Sequence, residues 1–194
     1  DNVIPEEIPE QEKTNDIIFI STLRFYKGTN LLLYVLAVLK EKYNFLPEAT
    51  VIGVGEDYFT LLQASVMLGV NVKFVGGVSN KQKFELIKAS KVGIMPFIDE
   101  HIGSVAPLEF MYCKVPTILW DLKINRERFG DTPCYLPKFD IMAMADRVYN
   151  LLQGYDKQDL EKVYQFVKTN RTFYVTAKQI EEVLVKVKNE QNKV

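Results

Sequence analysis

Apolar and polar positions along the chain follow two alternating patterns, short apolar runs and longer segments with helical spacing. The short runs are rich in β-branched residues and predict strands that are buried on both faces. The longer segments repeat apolar residues at intervals of three and four, which is typical of helices with one buried face. The runs predict five strands, over residues 17–22, 50–54, 70–77, 91–97 and 115–120.

Helical patterns separate these strands, and this alternation decides the fold class. Strands that alternate with helices predict a parallel sheet built from right-handed βαβ units. The expected fold is therefore α/β: a Rossmann-like, doubly wound parallel sheet of five to six strands with a C-terminal helical extension. A sixth strand is predicted within 131–137, and helices are predicted over 28–39, 57–68, 80–89, 104–112, 140–152, 157–169 and 175–188.

The N-terminal residues 1–16 are expected to be an interdomain linker, and residues 17–194 the folded domain. The linker has prolines at positions 5 and 9, many charges and no hydrophobic periodicity. It does not begin with Met and does not resemble a signal peptide, so the chain is expected to be a piece of a longer protein. Cys113 and Cys134 form neither a metal-binding spacing nor a disulfide framework. The expected location is the cytoplasm, including the cytoplasmic surface of a membrane.

Composition excludes two classes of function. Lys and Arg total 24 against 25 Asp and Glu, a net charge of −1, whereas nucleic-acid-binding domains usually carry a basic excess. The longest apolar run, 31–39, has nine residues, and a helix needs roughly 20 to span a bilayer. Nucleic acid and a transmembrane segment are therefore not expected.

The loops after the strands are the places to look for chemistry, because doubly wound sheets bind ligands beyond the carboxyl ends of their strands. Arg24 and Lys27 follow the first strand and precede Gly28, which opens a helix. Two cations at a helix N-terminus suit a phosphate group, and the alternative is that both are solvated surface charges. The glycines of residues 53–57 predict a tight turn, since Tyr58 stands where a dinucleotide fingerprint has its third glycine. Residues 120–130 are predicted to be a loop.

The loop after the fourth strand concentrates polar groups. It holds Asp99, Glu100 and His101, the only histidine, and Ser104 is expected to be the N-cap of the next helix. Glu109 lies about one turn inside that helix, where a carboxylate can accept hydrogen bonds from two sugar hydroxyls. The alternatives make His101 an ordinary loop residue and Glu109 a partner of the helix dipole, worth about 1 kcal/mol.

Metal-dependent sugar transfer is not expected, because the chain contains no Asp-x-Asp pair to hold a divalent ion on a diphosphate. Arg24, Lys27 and the helix dipole would have to neutralise a diphosphate instead. No metal and no cofactor are therefore predicted, apart from a nucleotide-diphosphate sugar as substrate.

Taken in order, several segments resemble the C-terminal, donor-binding half of GT-B retaining glycosyltransferases of glycosyltransferase family 4. The resemblance covers nearly the whole chain. The segments that carry it include IIFISTLRFYKG, EHIGSVAPLEFMYCKVPTIL and NRTFYVTAKQIEEVL.

The resemblance implies a role for each matching residue, with some departures from the family pattern. Thr22 stands where the family has an Arg, five residues before the Lys. Arg24, which is closer to Lys27 in the sequence, would take the role of that Arg. Counting back from Glu109, the second Glu of the family's Glu-x7-Glu motif, places His101 at the first, with Glu100 beside it. Lys114 replaces the family's glycine. The implied roles are diphosphate binding for Arg24, Lys27, Val105 and Ala106, ribose binding for Glu109, base binding for Gly77, Val78 and Lys83, sugar contact for Gly103 and Ser104, and catalysis for Glu100 and His101.

The implied function is metal-independent, retaining transfer of a glycosyl group. The acceptor, a glycan, lipid or protein, would be held by an N-terminal domain that this chain lacks. One alternative is a sugar-nucleotide epimerase of the same two-domain plan. Others are a non-catalytic nucleotide-binding α/β module of flavodoxin or receiver type, or a structural protein with no ligand. A receiver needs acidic residues after its first strand, where this chain has Arg24 and Lys27.

Overall fold

Six parallel strands form one sheet in the computed structural model, which describes residues 8–98, 104–154, 158–171 and 173–191. Their spatial order is β3-β2-β1-β4-β5-β6, the order of a doubly wound Rossmann fold. The predicted fold class is thereby confirmed. The strands are β1 (Asn15–Ile20), β2 (Ala49–Ile52), β3 (Val72–Gly76), β4 (Ser90–Met95), β5 (Thr117–Trp120) and β6 (Cys134–Leu136).

Helices cover both faces of the sheet. The first, second and sixth pack together on one side, and the third, fourth and seventh on the other. Two covered faces explain the continuous apolar runs, because no strand face in the middle of the sheet meets water. The helices are α1 (Thr29–Tyr43), α2 (Tyr58–Leu68), α3 (Asn80–Lys88), α4 (Ala106–Tyr112), α5 (Lys123–Phe129), α6 (Ile141–Leu152), α7 (Leu160–Asn170) and α8 (Phe173–Gln191).

The core lies along the central strands. Ile17, Ile18 and Phe19 of β1 are fully buried, and Ile17 pairs with Ala49 of β2 and Val92 of β4. Burying each such side chain stabilises the fold by about 1.5–3 kcal/mol relative to exposure. The central position of β1 therefore fixes the surrounding strands and the loops that follow them.

Several boundaries differ from the sequence prediction. The first strand is Asn15–Ile20, so it includes the last two residues of the predicted linker and ends two residues earlier than the predicted strand. The predicted loop over 120–130 is wrong, because Lys123–Phe129 forms α5. That helix has no side-chain N-cap. Asn125 Nδ2 donates to the Trp120 carbonyl at 2.9 Å, and Arg171, 43 residues further along the chain, donates to the Arg128 carbonyl at 2.8 Å. Such bonds leave no periodic signal.

The last helix, α8, contacts α7 and leaves much of its surface to solvent. Its apolar residues Ile180 and Leu184 are 56% and 63% exposed. Among the helices that the structure describes, none combines the length and the apolar content needed to cross a bilayer.

Candidate functional site

The carboxyl ends of β1 and β4 lie side by side at the centre of the sheet. The chain leaves β1 toward β2 and leaves β4 toward β5, in opposite directions across the sheet. Such a switch point opens a crevice between the two following loops, and doubly wound proteins bind their ligands there. The loops after β1 and β4 are therefore the first candidates for a site.

These two loops are locked together at Gly28. A turn of 3₁₀ helix, Phe25–Lys27, leads to Gly28, whose φ of 77° lies in the left-handed region that glycine adopts without strain. A Cβ atom on Gly28 would lie 2.0 Å from the Pro96 carbonyl oxygen. The Ile98 amide donates to the Tyr26 carbonyl at 3.1 Å. Only glycine lets the two loops approach this closely, and α1 starts at the point of contact.

Lys27 ends this turn as a half-buried cation. Its Nζ lies 5.4 Å from the centre of the Tyr26 ring and 5.9 Å from that of Phe97, distances at which a ring face attracts a cation. It forms no ion pair with any residue in the described part of the chain. A positive charge that no carboxylate among the described residues neutralises, at this edge of the sheet, suits an anion. The sequence reasoning missed Phe97, whose only signal is its place at the start of the loop.

Arg24 has a different environment from Lys27. Its side chain is half exposed, with Nε 3.5 Å from Glu56 Oε1, and a guanidinium nitrogen donates to the Tyr26 hydroxyl at 3.3 Å. Glu56 belongs to the loop after β2 and was not singled out from the sequence. The structure therefore ties Arg24 to that loop, and a shared diphosphate role with Lys27 stays a prediction.

The glycines after β2 serve the packing of the loops. A Cβ atom on Gly53 would lie 1.8 Å from the Ser21 carbonyl oxygen, and one on Gly55 would lie 2.2 Å from that of Leu23. The Leu23 amide also donates to the Val54 carbonyl at 3.0 Å. The loop after β1 thus lies directly against these glycines, in agreement with the predicted tight turn.

The predicted base-binding residues lie beyond β3, at the start of α3. Ser79 caps this helix in a capping box with Gln82, which fixes the entry of the chain after the turn at Gly77. Val78 is half-buried against the core, while Gly77 is exposed and a Cβ atom on it would be 4.0 Å from Val54. The turn leaves room for a planar group, and base binding there stays a prediction.

Glu109 and Lys83 meet in a buried ion pair that the sequence did not reveal. Glu109 Oε1 accepts from Lys83 Nζ at 2.6 Å, with the side chains 3% and 12% exposed. Both α3 and α4 start at the carboxyl edge of the sheet and pack against each other, which brings their first turns together. The two residues assigned to ribose and base are therefore neighbours. Glu109 is more than the partner of a helix dipole, because burial makes its charge depend on Lys83.

The start of α4 departs from the prediction. The helix begins at Ala106 with Val105, not Ser104, at the N-cap. Ser104 Oγ accepts the Ala106 amide at 3.2 Å, so this amide is not free as expected. Diphosphate binding by Val105 and Ala106, and sugar contact by Ser104, stay predictions.

The remaining predicted residues of this loop, Asp99, Glu100, His101 and Gly103, lie outside the described residues. Within the described part of the chain, no group of three His, Cys, Asp or Glu side chains is placed to hold a metal ion.

Cys113 is buried, as expected of a small apolar residue, and burial raises the pKa of its thiol to about 12. A thiol with that pKa is unreactive at neutral pH. Cys134 is partly buried.

Fold and site together place the chain in the class of Rossmann-type α/β domains with a cationic ligand edge. The sequence model of one family, described as Glycosyl transferases group 1, matches residues 1–170. The chain belongs to this family. No curated protein sequence matches it.

Solved structures agree on the fold. A mutant of S. aureus TarM in complex with Fondaparinux, alpha-GlcNAc-glycerol and UDP has a TM-score of 0.75 at 17% identity, covering 93% of this chain and 38% of TarM. Sucrose-phosphate synthase from Thermosynechococcus elongatus also has a TM-score of 0.75 at 17% identity, with 92% and 47% covered. Anabaena HepE in complex with UDP has a TM-score of 0.73 at 21% identity, with 89% and 49% covered. The chain thus spans less than half the length of each of these proteins.

Proposed function

We propose that this chain is the donor-binding part of a metal-independent, retaining glycosyltransferase. It would bind a nucleoside diphosphate sugar at the carboxyl edge of its sheet. The family membership and the GT-B neighbours support glycosyl transfer, and TarM and HepE were each solved with UDP. The other part of the enzyme, which would hold the acceptor, is proposed to lie in a separate domain, since the chain spans under half of its structural neighbours.

The observation that carries this proposal is Lys27. Its ammonium group has ring contacts but no ion pair within the described residues, and it lies at the switch point beside the start of α1. Backbone amides and a cation at such a position suit a diphosphate. As the glycosidic bond to the donor phosphate breaks, negative charge grows on the diphosphate, and Lys27 would stabilise that charge. Arg24 would contribute from the neighbouring loop.

The nucleoside would lie across the first turns of α3 and α4. Lys83 engages Oε1 of Glu109, and the ribose hydroxyls would donate to the second carboxylate oxygen. The base would cover the exposed turn at Gly77 and Val78. The sugar would reach the segment 99–103, whose Glu100 and His101 are the proposed catalytic residues.

The test is calorimetric titration of Lys27→Ala with UDP and with uridine. Loss of one charge-assisted hydrogen bond costs about 1.5–3 kcal/mol, so UDP affinity should fall roughly ten- to a hundredfold. Uridine binding should hardly change, because uridine carries no phosphate. Lys162→Ala is the matched control, since Lys162 is an exposed lysine on α7, a helix that starts near the amino end of β5.

Equal losses for UDP and uridine would place Lys27 outside the diphosphate site. A second titration in EDTA tests the metal-independent part of the proposal. UDP binding that disappears in EDTA and returns with Mg²⁺ or Mn²⁺ would contradict it.

A further inference from the structure

A cavity lies at the edge of the sheet opposite to the proposed donor site. It has a volume of about 690 Å³ and is lined by the ends of α3 and α4, by α7 and by the segment that precedes β1. Lys88 precedes β4, and Tyr112 and Lys114 precede β5, so the cavity adjoins the amino ends of these strands. Its volume falls in the range of small-molecule sites.

One carboxylate at this cavity, that of Glu10, is bound directly by a lysine, and two more lysines add to the positive charge around it. Lys88 forms an ion pair with Glu10, and its side chain is only 14% exposed although that of Glu10 is 90% exposed. Hydrogen bonding to Lys88 and the positive charges of Lys88, Lys13 and Lys114 lower the pKa of the Glu10 carboxyl. Lys13 is held in place by a 2.8 Å hydrogen bond from its Nζ to the Ser90 carbonyl. The cluster thus surrounds a place where an anionic group is favoured.

Lys114 and two tyrosines complete the wall of the cavity. Lys114 adopts a φ of 55°, in the left-handed region where glycine would be less strained. Its Nζ bonds to Glu161 at 2.7 Å and lies 4.9 Å from the centre of the Tyr164 ring. The rings of Tyr112 and Tyr164 lie 5.3 Å apart. Half-buried rings beside fixed cations suit a ligand with an organic body and a charged end.

We propose that this cavity binds a small organic anion, a sugar that carries a phosphate or a carboxylate group. The anionic group would take the place of the Glu10 carboxylate on Lys88, with Lys114 on the same cavity wall. The sugar body would lie against Tyr112 and Tyr164.

Glu10 is suited to be displaced. Its carboxylate is almost fully exposed while Lys88 is largely buried, so an entering anion replaces one solvated carboxylate and leaves no buried charge unpaired. A phosphate that reaches both lysines of the cavity wall, Lys88 and Lys114, would make two charge-assisted hydrogen bonds where Glu10 makes one. Glu10 therefore acts as an internal competitor for the site.

The experiment is calorimetric titration of the full chain with glucose 6-phosphate, and with glucuronate and glucose as separate arms. We expect 1:1 binding of glucose 6-phosphate, weaker binding of glucuronate because a carboxylate carries less negative charge than a phosphate, and none of glucose. Lys88→Met should weaken binding at least about tenfold, the effect of one charge-assisted hydrogen bond. Glu10→Gln should strengthen it. Lys81→Met, on the same helix but outside the cavity, should leave it unchanged.

Two further measurements keep the result independent of folding and of the donor site. Lys114→Met removes the second lysine of the cavity wall without altering Lys88 and should weaken binding even if Lys88→Met fails to fold. Saturating UDP should not displace glucose 6-phosphate. The proposal is overturned if neither sugar acid binds the wild type or Glu10→Gln, if Lys81→Met loses as much affinity as Lys88→Met, or if UDP displaces the ligand.

Discussion

Lys83 and Lys88 lie on the same helix, α3, with similarly buried side chains, yet their counter-ions differ completely. Lys83 lies near the start of the helix and is 12% exposed, and its partner Glu109 is 3% exposed. Lys88 is the last residue of the helix and is 14% exposed, and its partner Glu10 is 90% exposed. The helix begins at the carboxyl edge of the sheet and ends at the amino edge, so each pair belongs to a different candidate site.

The two ion pairs differ in the environment of the charge that remains when the lysine or its partner is removed. Removing one member of the Lys83–Glu109 pair leaves a buried charge with no counter-ion, which is strongly unfavourable. Removing Lys88 leaves Glu10 in water, where a carboxylate is well solvated. The first pair therefore stabilises the fold at the carboxyl edge of the sheet, and the second leaves a cation that other anions can reach. Burial of the lysine alone would not distinguish them.

The largest expected effect is that of Lys83→Met on stability. Met keeps the length and apolar stem of lysine but leaves the Glu109 carboxylate buried without a counter-ion. The free energy of unfolding should fall by about 3–5 kcal/mol, the usual cost of breaking a buried pair, as measured by urea denaturation.

The double variant Lys83→Met/Glu109→Leu is the control for this prediction. It removes both charges, so most of the stability should return, as when a buried pair is replaced by apolar residues. A double variant as unstable as Lys83→Met would show that the loss comes from packing and not from the unpaired carboxylate.

Next in size is the effect of Glu109→Gln on nucleotide binding. If the ribose hydroxyls donate to Glu109, UDP affinity should fall by about 1.5–3 kcal/mol, the range for hydrogen bonds to charged groups. The loss should be smaller for 2′-deoxy-UDP, which lacks one hydroxyl. A double-mutant cycle of residue against hydroxyl, measured by calorimetry on the folded protein, gives this coupling directly. A coupling of zero would make Glu109 solely a structural partner of Lys83.

A smaller effect is expected for Lys88→Met on stability. Because Glu10 stays solvated, the free energy of unfolding should change by no more than about 1 kcal/mol. Urea denaturation under the conditions used for Lys83→Met makes the two values comparable. A loss as large as that of Lys83→Met would remove the distinction between the two pairs.

The smallest effect is the pH dependence that Glu10 contributes. The pKa of Glu10 is lower in the folded protein than its ordinary value of 4.5, mainly through the Lys88 hydrogen bond. Its contribution to stability is therefore complete above about pH 4.5 and disappears as the pH falls through the lower, folded value. Because the introduced amide oxygen can still accept a hydrogen bond from Lys88, the stability difference between wild type and Glu10→Gln should stay within about 1 kcal/mol and shrink toward zero in this acidic range. A difference that is constant with pH would contradict the Lys88–Glu10 bond.

Much of the fold could be predicted from local patterns. The apolar runs around Ile17 and Ile118 predict buried strands because a strand covered on both faces needs apolar residues throughout. Their alternation with helices predicts the parallel order, since a parallel connection requires a crossover. Helix α5 could not be predicted from local patterns, because it has no periodic apolar face and is held partly by Arg171, which lies 43 residues beyond Arg128.

The candidate site, like the fold, has features that the sequence predicted and others that depend on how the chain packs. The sequence predicted Lys27 and Glu109 at the carboxyl edge, because Lys27 lies in the loop after a strand and Glu109 in the first turn of the helix that follows another. Only the tertiary structure decided their partners: Glu109 is paired with Lys83, 26 residues away, while Lys27 has ring contacts alone among the described residues. Which charges meet depends on how the helices pack across the sheet, and that packing is fixed by burial of the whole core rather than by any local run of residues.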